Sequence, residues 1–161
     1  LSQISADRPG PKAAIVRTPL VTATGRSMSE RHQPTTLPDR EVTTRLMATP
    51  NDTNVAGDIF GGWLMSQVDI AGSILALREA EGRVATVAVK EFRFLAPVAV
   101  GDLISCYAEV QRRGQTSITV HVIAEACRQL EAHRVGVVAD ATLVYVALNE
   151  AGRPRHMPAS S

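Results

Sequence analysis

Hydrophobic and polar positions along the chain follow two rhythms, and the first is helical. Over residues 57–82 (GDIFGGWLMSQVDIAGSILALREAEG) apolar residues are so dense that between Trp63 and Leu77 only Ser66, Gln67, Asp69 and Ser73 are polar. This predicts one long helix, buried on most sides, entered through Gly61 and Gly62, and too short and interrupted to cross a bilayer. Steps of three and four from Leu64 through Val68 and Ala71 to Leu75 predict a core stripe, extended by Trp63, Ile70, Ile74 and Leu77. Gly62, Ser66, Asp69, Gly72, Ser73 and Ala76 are left as a small-residue face that something can approach closely. Gly82 stands where a C-cap glycine is expected.

The second rhythm is alternation. A first strand is predicted over residues 41–47, followed by a turn-rich loop at 49–54; four more strands are predicted at 83–94, 102–111, 117–127 and 137–148. The strand at 117–127 alternates most cleanly, with Ile118, Val120, Val122, Ala124 and Ala126 on one face and Ser117, Thr119, His121 and Glu125 on the other. Pro97 with Gly101, then Gly114, then the polar stretch 128–134 supply the returns. One helix followed by a run of strands predicts an α+β fold, a five-stranded antiparallel sheet wrapped round the helix. Such a sheet covers one side of the helix only, so the small face is open to a second subunit.

Candidate chemistry sits on that face. Asp69 has no basic residue three or four positions away, and a buried carboxylate needs a partner, a ligand or water. Backbone amides or a distant arginine would satisfy it structurally; a substrate would make it catalytic. At the helix entrance, Gly61 and Gly62 let a ligand oxygen reach first-turn amides that lack intrahelical partners and lie at the positive end of the dipole. A polarised carbonyl or oxyanion suits that spot, although a tight entry turn alone would also account for the glycines. Asp58 either caps those amides or orients water or substrate beside them. Gly62 and Asp69 lie roughly 10 Å apart along the axis at 1.5 Å per residue. Groups acting on one carbonyl must lie about 3 Å from their reacting atoms. If both act, two helices side by side in a symmetric dimer supply them, amides from one chain and Asp69 from the other.

Composition narrows the alternatives. The apolar fraction of 45% in 161 residues fits one folded domain, expected over 41–161. Residues 1–40 are rich in Pro, Ser, Thr and Arg without sustained periodicity and read as a mobile leader lacking a secretory h-region. Because the chain begins at Leu1, it is expected to be a fragment, or translation to start at Met28. The leader holds six Lys/Arg against three Asp/Glu, which leaves the folded part slightly acidic and unsuited to nucleic acid. Cys106 and Cys127 form no C-x-x-C pair and read as reduced core thiols of a cytoplasmic protein. His32, His121, His133 and His156 lack metal-ligand spacing, and no Walker, Rossmann or G-x-S-x-G motif is present. Arg112 and Arg113, beside Gly114, Gln115, Thr116 and Ser117, read as a solvated turn, or as a phosphate contact if the ligand carries phosphates.

Pro50, Asp52-Thr53-Asn54, Gly57-Asp58-Ile59-Phe60-Gly61-Gly62-Trp63, Met65-Ser66-Gln67-Val68-Asp69, Phe94-Leu95-Ala96-Pro97 and Val100-Gly101-Asp102 together resemble the hotdog-fold acyl-CoA thioesterases. The likeness is to their YciA-type bacterial branch, related to the cytosolic long-chain acyl-CoA hydrolases of animals, and spans about residues 42–158. It implies a dimer with a continuous sheet, often assembled as a trimer of dimers, and hydrolysis of the acyl-coenzyme A thioester at two interfacial sites per dimer. It implies no cofactor and no membrane partner. Under it Asp69 is the catalytic carboxylate, Asp58 contributes from the other chain, and Gly62 completes the catalytic set. Substrate contacts are expected at Asn54, Gly61, Thr86, Arg113, Gly114, Thr116 and Ser117. Family members often carry a basic residue where this chain has Ala96, which weakens the expectation for coenzyme contacts.

The mechanism expected is polarisation of the thioester carbonyl by the Gly62 amide, with Gly61, while Asp69 activates water as general base. Direct attack by Asp69 through a mixed anhydride is the alternative. Two rivals differ in kind. A non-catalytic acyl-CoA sensor would usually add a DNA-binding segment, and residues 1–40 show no helix-turn-helix pattern. An enoyl-thioester hydratase would want a histidine shortly after the aspartate, where Ile70, Ala71, Gly72, Ser73 and Ile74 stand.

Overall fold

The computed structural model describes residues 41–128 and 133–159; the segment expected to be a leader lies outside them. The elements run β1 (Thr44–Met47), a 3-10 turn (Pro50–Asp52), α1 (Gly61–Ala80), β2 (Val84–Phe94), β3 (Asp102–Arg113), β4 (Ser117–Arg128) and β5 (His133–Ala147). The strands form one sheet in the order β1-β3-β4-β5-β2 with every neighbouring pair antiparallel. The α+β expectation of five strands and one long helix therefore holds.

Alternation along β4 sets the inner face. Ile118, Val120, Val122, Ala124 and Ala126 are buried there, joined by Ile104, Leu143 and Tyr145 from neighbouring strands and by Leu64, Val68, Ala71 and Ala76 from α1. Burying one such Val, Leu or Ile side chain contributes about 1.5–3 kcal/mol. β1 is shorter than the 41–47 expectation, β3 runs on through Arg113, and β5 begins at His133 rather than Val137. The pairing of β2 with β5 carries two irregularities, between Thr86 and Ala88 and between Val89 and Glu91.

The helix departs from its predicted burial in an informative way. Ile70 and Leu77, expected in the core, are 46% and 51% exposed because the sheet covers only one flank of α1. Trp63, Ile74 and Leu75 are half-buried. Gly72 and Ala76, expected on the open small-residue face, are instead buried. The ring of Tyr145 rises from β5 into the space a side chain at Gly72 would need, and a Cβ there would collide with the Tyr145 hydroxyl. The open face is thus Gly62, Ser66, Ile70 and Leu77, with Asp69 and Ser73 half-buried at its border.

Both helix ends have a local cause. Residues 57–60 form a turn rather than helix: Thr53 and Ile59 pair in an isolated bridge, and Gly57 adopts φ +90°. At the C-terminus the left-handed residue is Glu81 (φ +48°), not Gly82, and its N–H donates to the carbonyls of Arg78 and Leu77. Arg113 donates through Nη2 to Glu79 O at 3.2 Å and Arg155 through Nη2 to Ala80 O, which satisfies carbonyls of the last turn. At the start of β3, Asp102 is buried. Its Oδ2 accepts from Ala99 N at 2.9 Å and its Oδ1 from Arg128 Nε at 3.2 Å, closing the turn after β2.

Two stability outcomes follow. Glu81→Gly should raise stability by about 0.5–1 kcal/mol, since glycine adopts the left-handed conformation without the Cβ clash; a higher melting temperature checks it. Asp102→Ala should cost about 2–3 kcal/mol, because Ala99 N–H and Arg128 lose a buried acceptor; chemical denaturation measures it.

Candidate active site

Asp69 occupies the middle of α1, half-buried at the border between the sheet-facing flank and the exposed one. Its Oδ1 accepts a hydrogen bond from Thr86 Oγ1 at 2.8 Å and lies 3.1 Å from the Tyr145 hydroxyl. That hydroxyl is also 3.0 Å from the Asp69 carbonyl oxygen. Thr86 and Tyr145 face each other directly across β2 and β5, and Ile118 on β4 continues the row. Residues paired across an antiparallel sheet put their side chains on one face, so register alone brings both hydroxyls under the helix. The partners of Asp69 are therefore two hydroxyls, not backbone amides or an arginine. Burial, reinforced by the negative charge and hydrogen bond of Asp69, pushes the Tyr145 phenol far above the ordinary tyrosine range. It remains protonated, and so a donor, at physiological pH.

The other predicted groups lie at the two ends of α1. At the N-terminus, Phe60 occupies the capping position without a side-chain cap, and among the described residues no side chain accepts a hydrogen bond from the first-turn amides of Gly61 and Gly62. The preceding turn is built by Asn54, whose Oδ1 accepts from Ala56 N at 2.9 Å and Asp58 N at 3.2 Å. Asp58 does not cap the helix; it is exposed, with no hydrogen bond to its carboxylate among the described residues. Beside these amides lies an apolar cleft of about 330 Å³ lined by Ile59, Gly61, Leu64, Phe94, Leu95 and Pro97, among others. A Cβ on Gly61 would touch the Phe94 ring at 3.4 Å, so the glycine keeps this wall thin.

At the C-terminus, Arg113 ends β3 instead of lying in an open turn, and its Nη1 pairs with Glu79 at 2.7 Å. Gly114 N donates to Ser117 O at 2.7 Å, and Thr116 O accepts from Ala147 N at 2.9 Å. The structure thus groups Asp69 with Thr86, groups Asn54, Asp58, Gly61 and Gly62 at one end of the helix, and leaves Arg113, Gly114, Thr116 and Ser117 at the other. Tyr145 was not singled out in the sequence. Its signal was a phenol on the inward face of a strand, beside apolar Ala139, Ala141 and Leu143, since a buried tyrosine hydroxyl needs a partner.

Other reactive groups are structural. Burial raises the Cys106 thiol above its ordinary range, with Thr44 opposing. His121 lies between Glu109 Oε1 and Asp140 Oδ1, each at 3.1 Å. Among the described residues no group of three or more His, Cys, Asp or Glu could hold a metal ion, and no helix is long and apolar enough to cross a membrane.

Known proteins are similar to this chain in sequence and fold. Residues 56–132 match the model of the thioesterase superfamily. The acyl-CoA thioester hydrolase YciA of Salmonella typhimurium is 46% identical over 124 residues, covering 75% of this chain and 92% of the relative. Among solved structures, a hexameric thioesterase from Yersinia pestis superposes with a TM-score of 0.72 at 46% identity, over 77% of this chain and 100% of that one. A hexameric hotdog-fold thioesterase of Campylobacter jejuni superposes with a TM-score of 0.70 at 38% identity, over 73% of this chain and 90% of the other. With its sheet, its helix and its glycine-led helix entrance, the chain belongs to the thioesterase superfamily, among the hotdog-fold acyl-CoA thioester hydrolases.

Proposed function

We propose that this chain hydrolyses the thioester of acyl-coenzyme A to a free carboxylic acid and coenzyme A, with Asp69 as the catalytic carboxylate. The observation that carries this reading is a half-buried Asp69 held by two hydroxyls, with no cation paired to it among the described residues. Water loses a proton to Asp69 and adds to the carbonyl carbon. The oxyanion is received by the first-turn amides of Gly61 and Gly62, and the carbon–sulfur bond breaks to release the thiolate. A thiolate leaves readily, so no histidine acid is required. The apolar cleft beside Gly61 suits the acyl portion.

Both groups cannot serve one carbonyl from a single helix, because Gly62 and Asp69 are roughly 10 Å apart along it. A twofold axis crossing α1 near Ser66 would set Gly62 of one chain opposite Asp69 of the other. That axis fits the exposed face: Ile70 and Leu77 on α1, and Val87 and Val89 on β2, are 45–57% exposed. β2 is also an edge strand of the sheet, and pairing two copies of it makes one continuous sheet. Such dimers are the units of a trimer of dimers in this reading, and the hexameric relatives support it. The turn at Arg113 to Ser117 remains the candidate for the coenzyme phosphates, and a cytoplasmic site of action suits the free thiols Cys106 and Cys127.

Asp69→Asn should lower kcat by at least about 100-fold and leave assembly intact, checked by thiol-trapping assay and sedimentation; near-normal turnover would defeat the assignment. Single-turnover hydrolysis in heavy-oxygen water tests the direct route: label appearing in the Asp69 carboxylate excludes the pure general-base mechanism. Val89→Lys, which sets like charges facing across the twofold, should shift sedimentation to smaller species and remove activity together.

A further inference from the structure

The two oxygens of the Asp69 carboxylate have different surroundings. Oδ1 accepts from Thr86 at 2.8 Å and lies 3.1 Å from the Tyr145 hydroxyl, while Oδ2 has no hydrogen bond among the described residues. A free carboxylate rotates about its terminal torsion over a broad range and presents either oxygen. Two donors on one oxygen stop that rotation.

We infer that Tyr145 is a positioning residue for the reaction: with Thr86 it pins Oδ1 of Asp69, so that Oδ2 is the oxygen presented to water or to the carbonyl carbon, and Gly72 is the clearance that admits its hydroxyl. The assignment rests on the reading of Asp69 as the catalytic carboxylate. A bond to the Asp69 backbone carbonyl would by itself satisfy a buried phenol. The placement of the hydroxyl within reach of Oδ1 as well goes beyond that need.

The paired acceptors matter because the phenol has one proton. While Asp69 is an anion, the proton points to Oδ1. Once the carboxyl has taken up a proton or become acylated, Oδ1 is a weaker acceptor and the same proton turns to the backbone oxygen at 3.0 Å. The buried donor is never orphaned, which would cost about 1–3 kcal/mol, and the ring need not move. Gly72 fits this role. Glycine inside a helix costs about 1 kcal/mol relative to alanine, yet a Cβ here would run into the Tyr145 hydroxyl and ring. No Lys, Arg or His is paired with Asp69 among the described residues, and the core residues of β3 and β4 (Ile104, Cys106, Ile118, Val120, Val122, Ala124 and Ala126) include no Lys, Arg or His. The hydroxyls of Thr86 and Tyr145 therefore set the carboxylate's orientation.

The test is Tyr145→Phe in the full chain, which keeps the ring and removes the proton. The expected result is a kcat lower by about 10- to 100-fold, in line with a hydrogen bond to a charged group, with KM within about twofold and unchanged assembly. As a second readout, the protein labelled at tyrosine Cζ in a Tyr107→Phe background has one tyrosine signal, and it should move in Asp69→Asn as the phenol loses its anionic acceptor. Unchanged kcat and KM in Tyr145→Phe, or a Tyr145 signal indifferent to Asp69→Asn, would overturn the inference. An inactive Asp69→Asn beside a fully active Tyr145→Phe removes the role of Tyr145 alone; a fully active Asp69→Asn removes the reading of the site with it.

Discussion

A carboxylate on the flank of a helix otherwise packed by apolar side chains persists only where donors reach it. In this fold the donors are two hydroxyls from adjacent strands, and much of the architecture follows from getting them there. Thr86 and Tyr145 are opposed across β2 and β5, so their aim is fixed by strand register. The helix must come close enough for a phenol to pass beneath it, and Gly72 permits this by having nothing where the ring lies. The core cluster around Val68, Ala71 and Ala76 then holds the helix at that distance.

The same close fit on one flank leaves the other bare. With Ala71, Gly72 and Ala76 turned to the sheet beside Leu64 and Val68, Ile70 and Leu77 face outward, and the aspartate sits at the boundary between the two sides. The glycine-led entrance lies about two turns away along the axis. Under the proposed function, a single chain therefore holds the two halves of the reaction centre at positions that do not meet. In the proposed dimer, association through the uncovered flank and the β2 edge would resolve both features at once, because covering the apolar surface and completing the site would be one event.

The sequence carried much of this. The apolar run around Val68 and the alternation at Ile118 to Ala126 specified the helix, the strands and the inner face of β4. Periodicity could not tell which flank of the helix the sheet would cover. The helix is apolar on nearly every side, so Ile70 and Leu77 were placed inside and Gly72 and Ala76 outside, the reverse of the structure. That choice depends on Tyr145, some seventy residues downstream, whose ring needs small neighbours above it. Asp69 was legible as a lone carboxylate on an apolar element, whereas its partners depend on strand register, which local pattern does not encode. The helix end shows the same limit: Gly82 was the conventional stop, but the left-handed cap is Glu81, one residue earlier, while the Gly82 amide donates to Leu77 O at 3.2 Å.

The irregular pairing of β2 has a further consequence. Extra residues between Thr86 and Ala88 and between Val89 and Glu91 break the strict two-residue repeat, and such bulges bend a strand and deepen its local twist. The first of them lies beside Thr86, at the level of the aspartate. An edge kinked twice in this way is a poor template for arbitrary strand addition, because only a chain bent to match can extend its ladder. The interruption next to Asp69 and Thr86 thus also guards an apolar edge against aggregation while leaving it open to a second copy of itself.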